Sequence, residues 1–126
     1  MQDFRELKTW QKSHELTRAV YRATGRFPSA ETYGVTGQMR RAAVSVGANI
    51  AEGCGRGSRA DFARFLNMAM GSASELQYLL LLARDLAYLP QDVHAELDGA
   101  TSEIKRMLTS LLKKLRAAKH QPTDSA

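Results

Sequence analysis

Residues 38–53 read QMRRAAVSVGANIAEG, and their polar and apolar positions recur at helical spacing. At 3.6 residues per turn, Gln38, Arg41, Ser45, Asn49 and Glu52 share a sector of roughly 80°. Met39, Ala42, Ala43, Val46 and Ile50 take the neighbouring face, while Val44, Ala48 and Ala51 point away from them. Arg40 is the one charge of this helix outside the polar stripe. A helix patterned in this way has almost no face suited to water, so more than one of its sides must be covered.

The same periodicity predicts three further helices. Phe4, Leu7, Trp10, His14, Thr17 and Tyr21, flanked by Leu16 and Val20, define a first helix over residues 3–24, closed by Gly25. The connector GRFPSAETY leads into the second helix, over 35–54, and GRG at 55–57 stops it. Ser58 reads as an N-cap, with Asp61 three residues on completing a capping box in which Asp replaces the longer Glu. The third helix runs to about residue 88, and between Phe65 and Ala83 its only charge is Glu75. The fourth, over 91–119, carries an ordinary apolar stripe of Leu97, Ile104, Leu108, Leu111, Leu112 and Leu115 with charges opposite. Pro28, Pro90 and Pro122 lie at helix boundaries. Four helices with short connectors predict an all-α fold, an antiparallel up-down-up-down four-helix bundle over 1–120, followed by a disordered tail at 121–126. In a monomeric bundle every helix keeps a polar outer face, yet the second and third largely lack one. Oligomerisation through those two helices is the simplest remedy.

Composition adds bounds. The chain has 126 residues, 44% of them hydrophobic, enough for one domain without metals or disulfides. The single cysteine, Cys54, has no intramolecular partner, and the N-terminus MQDFRELKTW lacks the apolar stretch of a signal peptide. The reading is a cytoplasmic protein, and the longest apolar run, at 79–83, falls far short of the ~20 residues that cross a bilayer. A formal net charge of +5 makes a polyanionic partner plausible. By segment the charge is +2 over 1–25, +2 over 26–57, 0 over 58–89 and +1 over 90–126, which leaves it spread along the chain.

Several groups of residues invite a chemical reading. Gln38, Arg41, Ser45, Asn49 and Glu52 could form a site or a polar seam between helices. The seam is favoured, because Ser45 has no histidine at helical reach to act as a base. Buried charges require partners, and Glu75, with Ser72 one turn before it, is the expected partner of Arg41 or of the Asn49 amide, with Gly71 allowing close backbone approach there. The glycines of GCGRGS at 53–58 follow a helix and lack the GK[ST] of a phosphate loop, so they read as helix termination. Arg56 and Arg59 flank the start of the third helix, where free N–H groups favour an anion such as a phosphate. Lys113, Lys114, Arg116 and Lys119 form either a nucleic-acid patch or a solvated face that complements the helix dipole opposite Asp92, Glu96 and Asp98. Arg40 joins these as a candidate anion contact. His14, His94 and His120 lie on separate elements without the spacing of a metal motif. Cys54 has no activating histidine, and Met39, Met68, Met70 and Met107 read as fillers of core or interface gaps. No catalytic set, cofactor, metal or small-molecule substrate is expected.

The order of residues also carries a resemblance. The signature F-x-x-L-x-x-W-Q-K (Phe4, Leu7, Trp10, Gln11, Lys12) is followed by Tyr21 and F-P-x-x-E-x-Y-G (Phe27, Pro28, Glu31, Tyr33, Gly34). Q-x-R-R-A-x-x-S (Gln38, Arg40, Arg41, Ala42, Ser45), N-I-A-E-G at 49–53 and G-S-x-x-E-L (Gly71, Ser72, Glu75, Leu76) complete it. From residue 4 to residue 115 the chain resembles the 23S rRNA intervening-sequence proteins. It departs at Met70, where relatives often have a basic residue, and at Tyr78, where they often have threonine. The resemblance implies a homopentamer of helical bundles around a central channel. It also implies kinship with the accessory variability proteins of diversity-generating retroelements, which bind a reverse transcriptase and nucleic acid. The expected function is therefore a non-enzymatic, pentameric helical scaffold that binds RNA, DNA or a nucleic-acid-processing protein through basic surfaces. The alternative is a scaffold with protein partners only, its positive charge serving solubility.

Overall fold

The computed structural model describes residues 3–119, and over them the chain forms four helices: α1 (Lys8–Thr24), α2 (Val35–Cys54), α3 (Arg59–Asp85) and α4 (Gln91–Lys119). Each helix packs on the one before it and the one after it, and α4 closes the ring against α1. Short connectors make successive helices antiparallel, so the bundle is up-down-up-down. The tail expected at 121–126 and His120 lie outside the described residues, as does the side chain of Lys119.

Local chemistry sets the helix ends. Ser58 accepts a hydrogen bond from the Asp61 N–H at 3.1 Å and caps α3 as its sequence suggests. The first helix starts later than its periodicity predicts. Asp3 caps a single 3₁₀ turn, Phe4–Glu6, and Leu7 is extended before α1 begins. That break sets Phe4 edge-on against Trp10, with ring centroids 4.9 Å apart. The third helix ends earlier than expected, at Asp85, because Ala87 adopts a left-handed φ of 63°. Tyr88 N–H then bonds to the Ala83 carbonyl, and Ala87 N–H to that of Arg84, a Schellman closure that usually uses glycine.

The core is one cluster in which Val20, Met39, Ile50, Leu66, Leu76, Leu80 and Leu108 are fully buried. On α2 the expected apolar face, Met39, Ala42, Ala43, Val46 and Ile50, is buried throughout. On α1 the buried line differs from the expected one. It runs through Thr9, Ser13, Leu16, Val20 and Thr24, with His14 and Tyr21 turned outward. Threonine is tolerable on this line because its hydroxyl can bond its own helix. Thr24 donates to the Val20 carbonyl at 2.8 Å, and Thr17, at the edge of the line, donates to those of Ser13 and Ala43. The displaced aromatics find other partners: Trp10 stacks on His14, and the Arg40 guanidinium lies over Tyr21.

Two glycines let helices approach closely. A Cβ on Gly47 would meet Ser13 Oγ at 3.3 Å and Trp10 Nε1 at 3.5 Å. On Gly53 it would lie 2.9 Å from Phe62 Cδ1 and 3.0 Å from Phe65 Cβ, too close for either to stay in place. Gly53→Ala should therefore lower stability by about 1–3 kcal/mol through overpacking, outweighing an alanine helix preference of about 1 kcal/mol. Ala87→Gly should do the opposite, adding about 1 kcal/mol by relieving the left-handed alanine. Thermal melts of the two variants, moving in opposite directions from the parent, check both.

Candidate functional site

The polar stripe of α2 meets α3 at one point. Ser45 Oγ and Ser72 Oγ lie 2.8 Å apart, and the Asn49 amide donates to the Ser45 carbonyl at 2.8 Å and to its hydroxyl at 3.1 Å. These three side chains are half-buried, whereas Gln38, Arg41, Glu52 and Glu75 are exposed. The expected pairing of Glu75 with Arg41 or Asn49 is absent among the described residues. The buried line of α3 passes through Ala69, Ala73, Leu76 and Leu80, which turns position 75 out past Ser72 into solvent. Gly71 likewise makes no close approach within the chain, since a Cβ built there meets nothing within 4 Å. Within one chain the seam is therefore a small serine–asparagine cluster rather than a buried ion-pair network.

Around that cluster the outer surfaces of α2 and α3 set large apolar side chains among polar ones such as Gln38, Arg41, Asn67 and Glu75. Val44 is 46% exposed, Met68 47%, Tyr78 61% and Leu81 40%, and the small residues Ala48, Gly71 and Ser74 are exposed among them. Of the methionines expected to fill gaps, Met39 is buried and Met70 packs on the core, but Met68 stands in solvent.

The cationic candidates separate by position. Arg40 is held at the C-terminal end of α1, its Nε donating to Thr24 Oγ1 at 2.9 Å and its Nη2 to the Tyr21 carbonyl at 3.3 Å. Two of its five N–H donors thereby serve the last turn of α1. Arg56 pairs with Glu52 at 3.2 Å and packs over the Phe65 ring, with Arg64 over the same ring. Arg59 follows Ser58 at the start of α3, beside a cleft of about 160 Å³ lined by Cys54 and Phe62. Lys113, Lys114 and Arg116 are exposed on α4 and pair with nothing among the described residues. Lys8 and Arg106, which sequence reasoning missed, share that condition. Lys8 lies one residue past an unforeseen break, and Arg106 lies outside the basic run; only the helix packing brings them near it.

Other reactive groups are restrained. Cys54 is buried, and burial, aided by the Asp3 carboxylate, pushes its thiol above the usual range, away from nucleophilic use. No three His, Cys, Asp or Glu side chains among the described residues cluster as metal ligands, and no helix among them is long and apolar enough to cross a membrane. At the opposite end of the bundle, Glu31 joins two connectors. One carboxylate oxygen accepts from the Val35 N–H at 3.3 Å and the other from the Tyr88 hydroxyl at 2.9 Å.

Comparison with known proteins agrees with this architecture. The profile of the family described as 23S rRNA-intervening sequence protein matches residues 5–110. A solved structure of a protein of unknown function from the S23 ribosomal protein family of Bacteroides thetaiotaomicron is similar, with a TM-score of 0.76 and 29% identity. The match covers 83% of this chain and 98% of that one. No curated protein sequence matches.

The Tyr88–Glu31 bond has a pH signature. The hydrogen bond to Glu31, together with burial and the carboxylate charge, raises the Tyr88 hydroxyl above its ordinary value near 10. A raised acid contributes stability below its unfolded value and loses it as pH climbs through the folded one. The ultraviolet titration difference between the parent and Tyr88→Phe should therefore be centred above pH 10, and Glu31→Gln should bring it down. A difference already centred at pH 10 in the parent would show that the bond does not form.

Proposed function

The chain belongs to the 23S rRNA-intervening sequence protein family, and on that premise we propose that it is a non-enzymatic homo-oligomeric scaffold. Five chains to a ring is the stoichiometry that the resemblance implies. The observation that carries the reading is the outer face of α2 and α3, where Val44, Met68, Tyr78 and Leu81 are each at least 40% exposed. Exposed apolar side chains grouped on adjoining helices mark an interaction surface. Gly71 fits the same reading. A mid-helix glycine costs about 1 kcal/mol of helix preference, and open space around it gives the single chain no return for that cost. A second chain packed there would supply the reason for it. Exposed Arg41 and Glu75 on the same face would then find partners across the interface, which restores the register role expected of the polar stripe.

The partner of the scaffold in this proposal is RNA, DNA or a nucleic-acid-processing protein, met through unpaired basic side chains. Kinship with the accessory variability proteins would make a reverse transcriptase the protein partner. The competing reading, protein partners alone, draws on the basic residues whose charge is already answered within the chain: Arg5 by Asp3, Arg56 by Glu52 and Arg64 by Asp61.

Light scattering tests the assembly. The parent chain should give a mass several times 13.9 kDa at micromolar concentration, five times on the proposed stoichiometry. Met68→Glu and Tyr78→Glu, exposed in the single chain, should reduce that mass while leaving the helical circular-dichroism signal intact. A parent mass of one chain defeats the proposal.

A further inference from the structure

We propose that one end of the bundle grips the sugar-phosphate backbone of a nucleic-acid duplex, with Lys8, Arg106, Lys113, Lys114 and Arg116 as the phosphate contacts. The inference rests on the nucleic-acid reading above and adds to it a place, a set of residues and a mode of contact.

Topology makes the place. In an up-down-up-down bundle the first helix starts, the second ends, the third starts and the fourth ends at the same pole. That pole collects residues 3–12, 52–66 and 106–118, which hold ten Lys and Arg against four Asp and Glu. The rest of the described chain, residues 13–51 and 67–105, holds seven Lys and Arg against eight Asp and Glu. A net charge spread evenly along the sequence is therefore concentrated at one end of the folded chain.

Pairing within the chain narrows the set. At the basic pole Arg5 bonds Asp3 at 2.9 Å, Arg56 bonds Glu52 at 3.2 Å, and Arg64 and Lys12 lie 3.6 Å from Asp61 and Glu103. Lys8, Arg106, Lys113, Lys114 and Arg116 are exposed and meet no acidic side chain among the described residues. On α4, Arg106 and Lys113 fall nearly opposite the buried Ile104 and Leu108, with Lys114 and Arg116 on either flank. From 106 to 116 the helix rises about 15 Å. A nucleic-acid strand carries a charge about every 3.4 Å, so this row matches a run of several phosphates.

The mode follows from what the pole lacks. Tyr21, Tyr33 and Tyr78, the exposed large aromatics among the described residues, all belong to the opposite half, while Phe65 is buried and Phe4, Trp10 and Phe62 are half-buried. Without an exposed ring, unpaired bases find no stacking platform at the basic pole. Cations without aromatic interleaving read backbone and not sequence, which favours a duplex over a single strand.

The test uses the full chain with mixed-sequence RNA and DNA duplexes and a single strand of the same sequence, titrated by fluorescence anisotropy across a salt series. The parent should bind either duplex more tightly than the strand, with log affinity falling linearly against log salt. Lys113→Glu with Arg116→Glu should weaken duplex binding at least about tenfold and flatten the slope by about 2, the loss of two phosphate contacts. Arg22→Glu with Arg26→Glu, which changes net charge equally at the opposite pole, should leave the slope unchanged. Duplex binding that the Lys113 and Arg116 pair does not alter, or that both pairs weaken alike, overturns the inference and leaves the nucleic-acid reading standing. Tighter binding of the single strand overturns the duplex mode. No binding by the parent at low salt overturns that reading and the inference with it.

Discussion

Small side chains set how closely α2 and α3 approach, and much of the molecule depends on that contact. Ala42 and Val46 on one helix and Ala69 and Ala73 on the other are buried, and Gly53 receives the Phe62 ring and the Phe65 Cβ where a Cβ of its own would collide. Close-packed helices of this kind leave no space for long charged side chains between them. The one polar feature that fits is short: two serine hydroxyls 2.8 Å apart, steadied by the Asn49 amide. Each of the three is half-buried and hydrogen-bonded, so none carries the full penalty of an orphaned polar atom.

The same smallness extends outward. Ala48, Gly71 and Ser74 are exposed on the far sides of these helices, among Val44, Met68 and Tyr78. Small and apolar residues with an occasional serine also make up the inner contact, and in the proposed assembly that outer face is the one that meets another chain. Arg41 and Glu75 stand at its edge, where charges orient an association more than they strengthen it. The remaining helices behave differently. α4 carries its charges opposite its apolar line, and α1 and α4 each bury a threonine, Thr24 and Thr101, whose hydroxyl bonds a carbonyl of its own helix.

On α4 the charges follow helix direction. The C-terminal turns of α4 carry lysines and arginines that oppose the negative end of its dipole, and the first turn carries Asp92. The same pole also receives cations that the dipole does not favour, Arg59 and Arg64 in the first turns of α3 and Lys8 at the start of α1. Residues that are neutralised in sequence by acids in the same segment are separated from those acids by the length of a helix. Arg40 shows the reverse case, a cation that helix geometry draws inward to the last carbonyls of α1.

By itself, the sequence determined the four helices, their order and the α2 core face, because apolar spacing of 3.6 residues survives without knowledge of neighbours. It also determined the Ser58 cap, which needs only residues 58–61. Tertiary structure decided which flank of α1 is buried, since Thr9, Ser13 and Thr24 look polar in sequence, yet all three are buried, Thr24 bonded to the Val20 carbonyl and the Ser13 hydroxyl without a partner among the described residues. It decided the end of α3, where an alanine holds a conformation that composition assigns to glycine. It left Glu75 in solvent instead of beside Arg41, because a rotation of one position about a helix axis moves a side chain by about 100°. Above all it gathered Lys8, Arg106 and the 113–116 run at one pole, since distance along the chain says nothing of distance across a bundle.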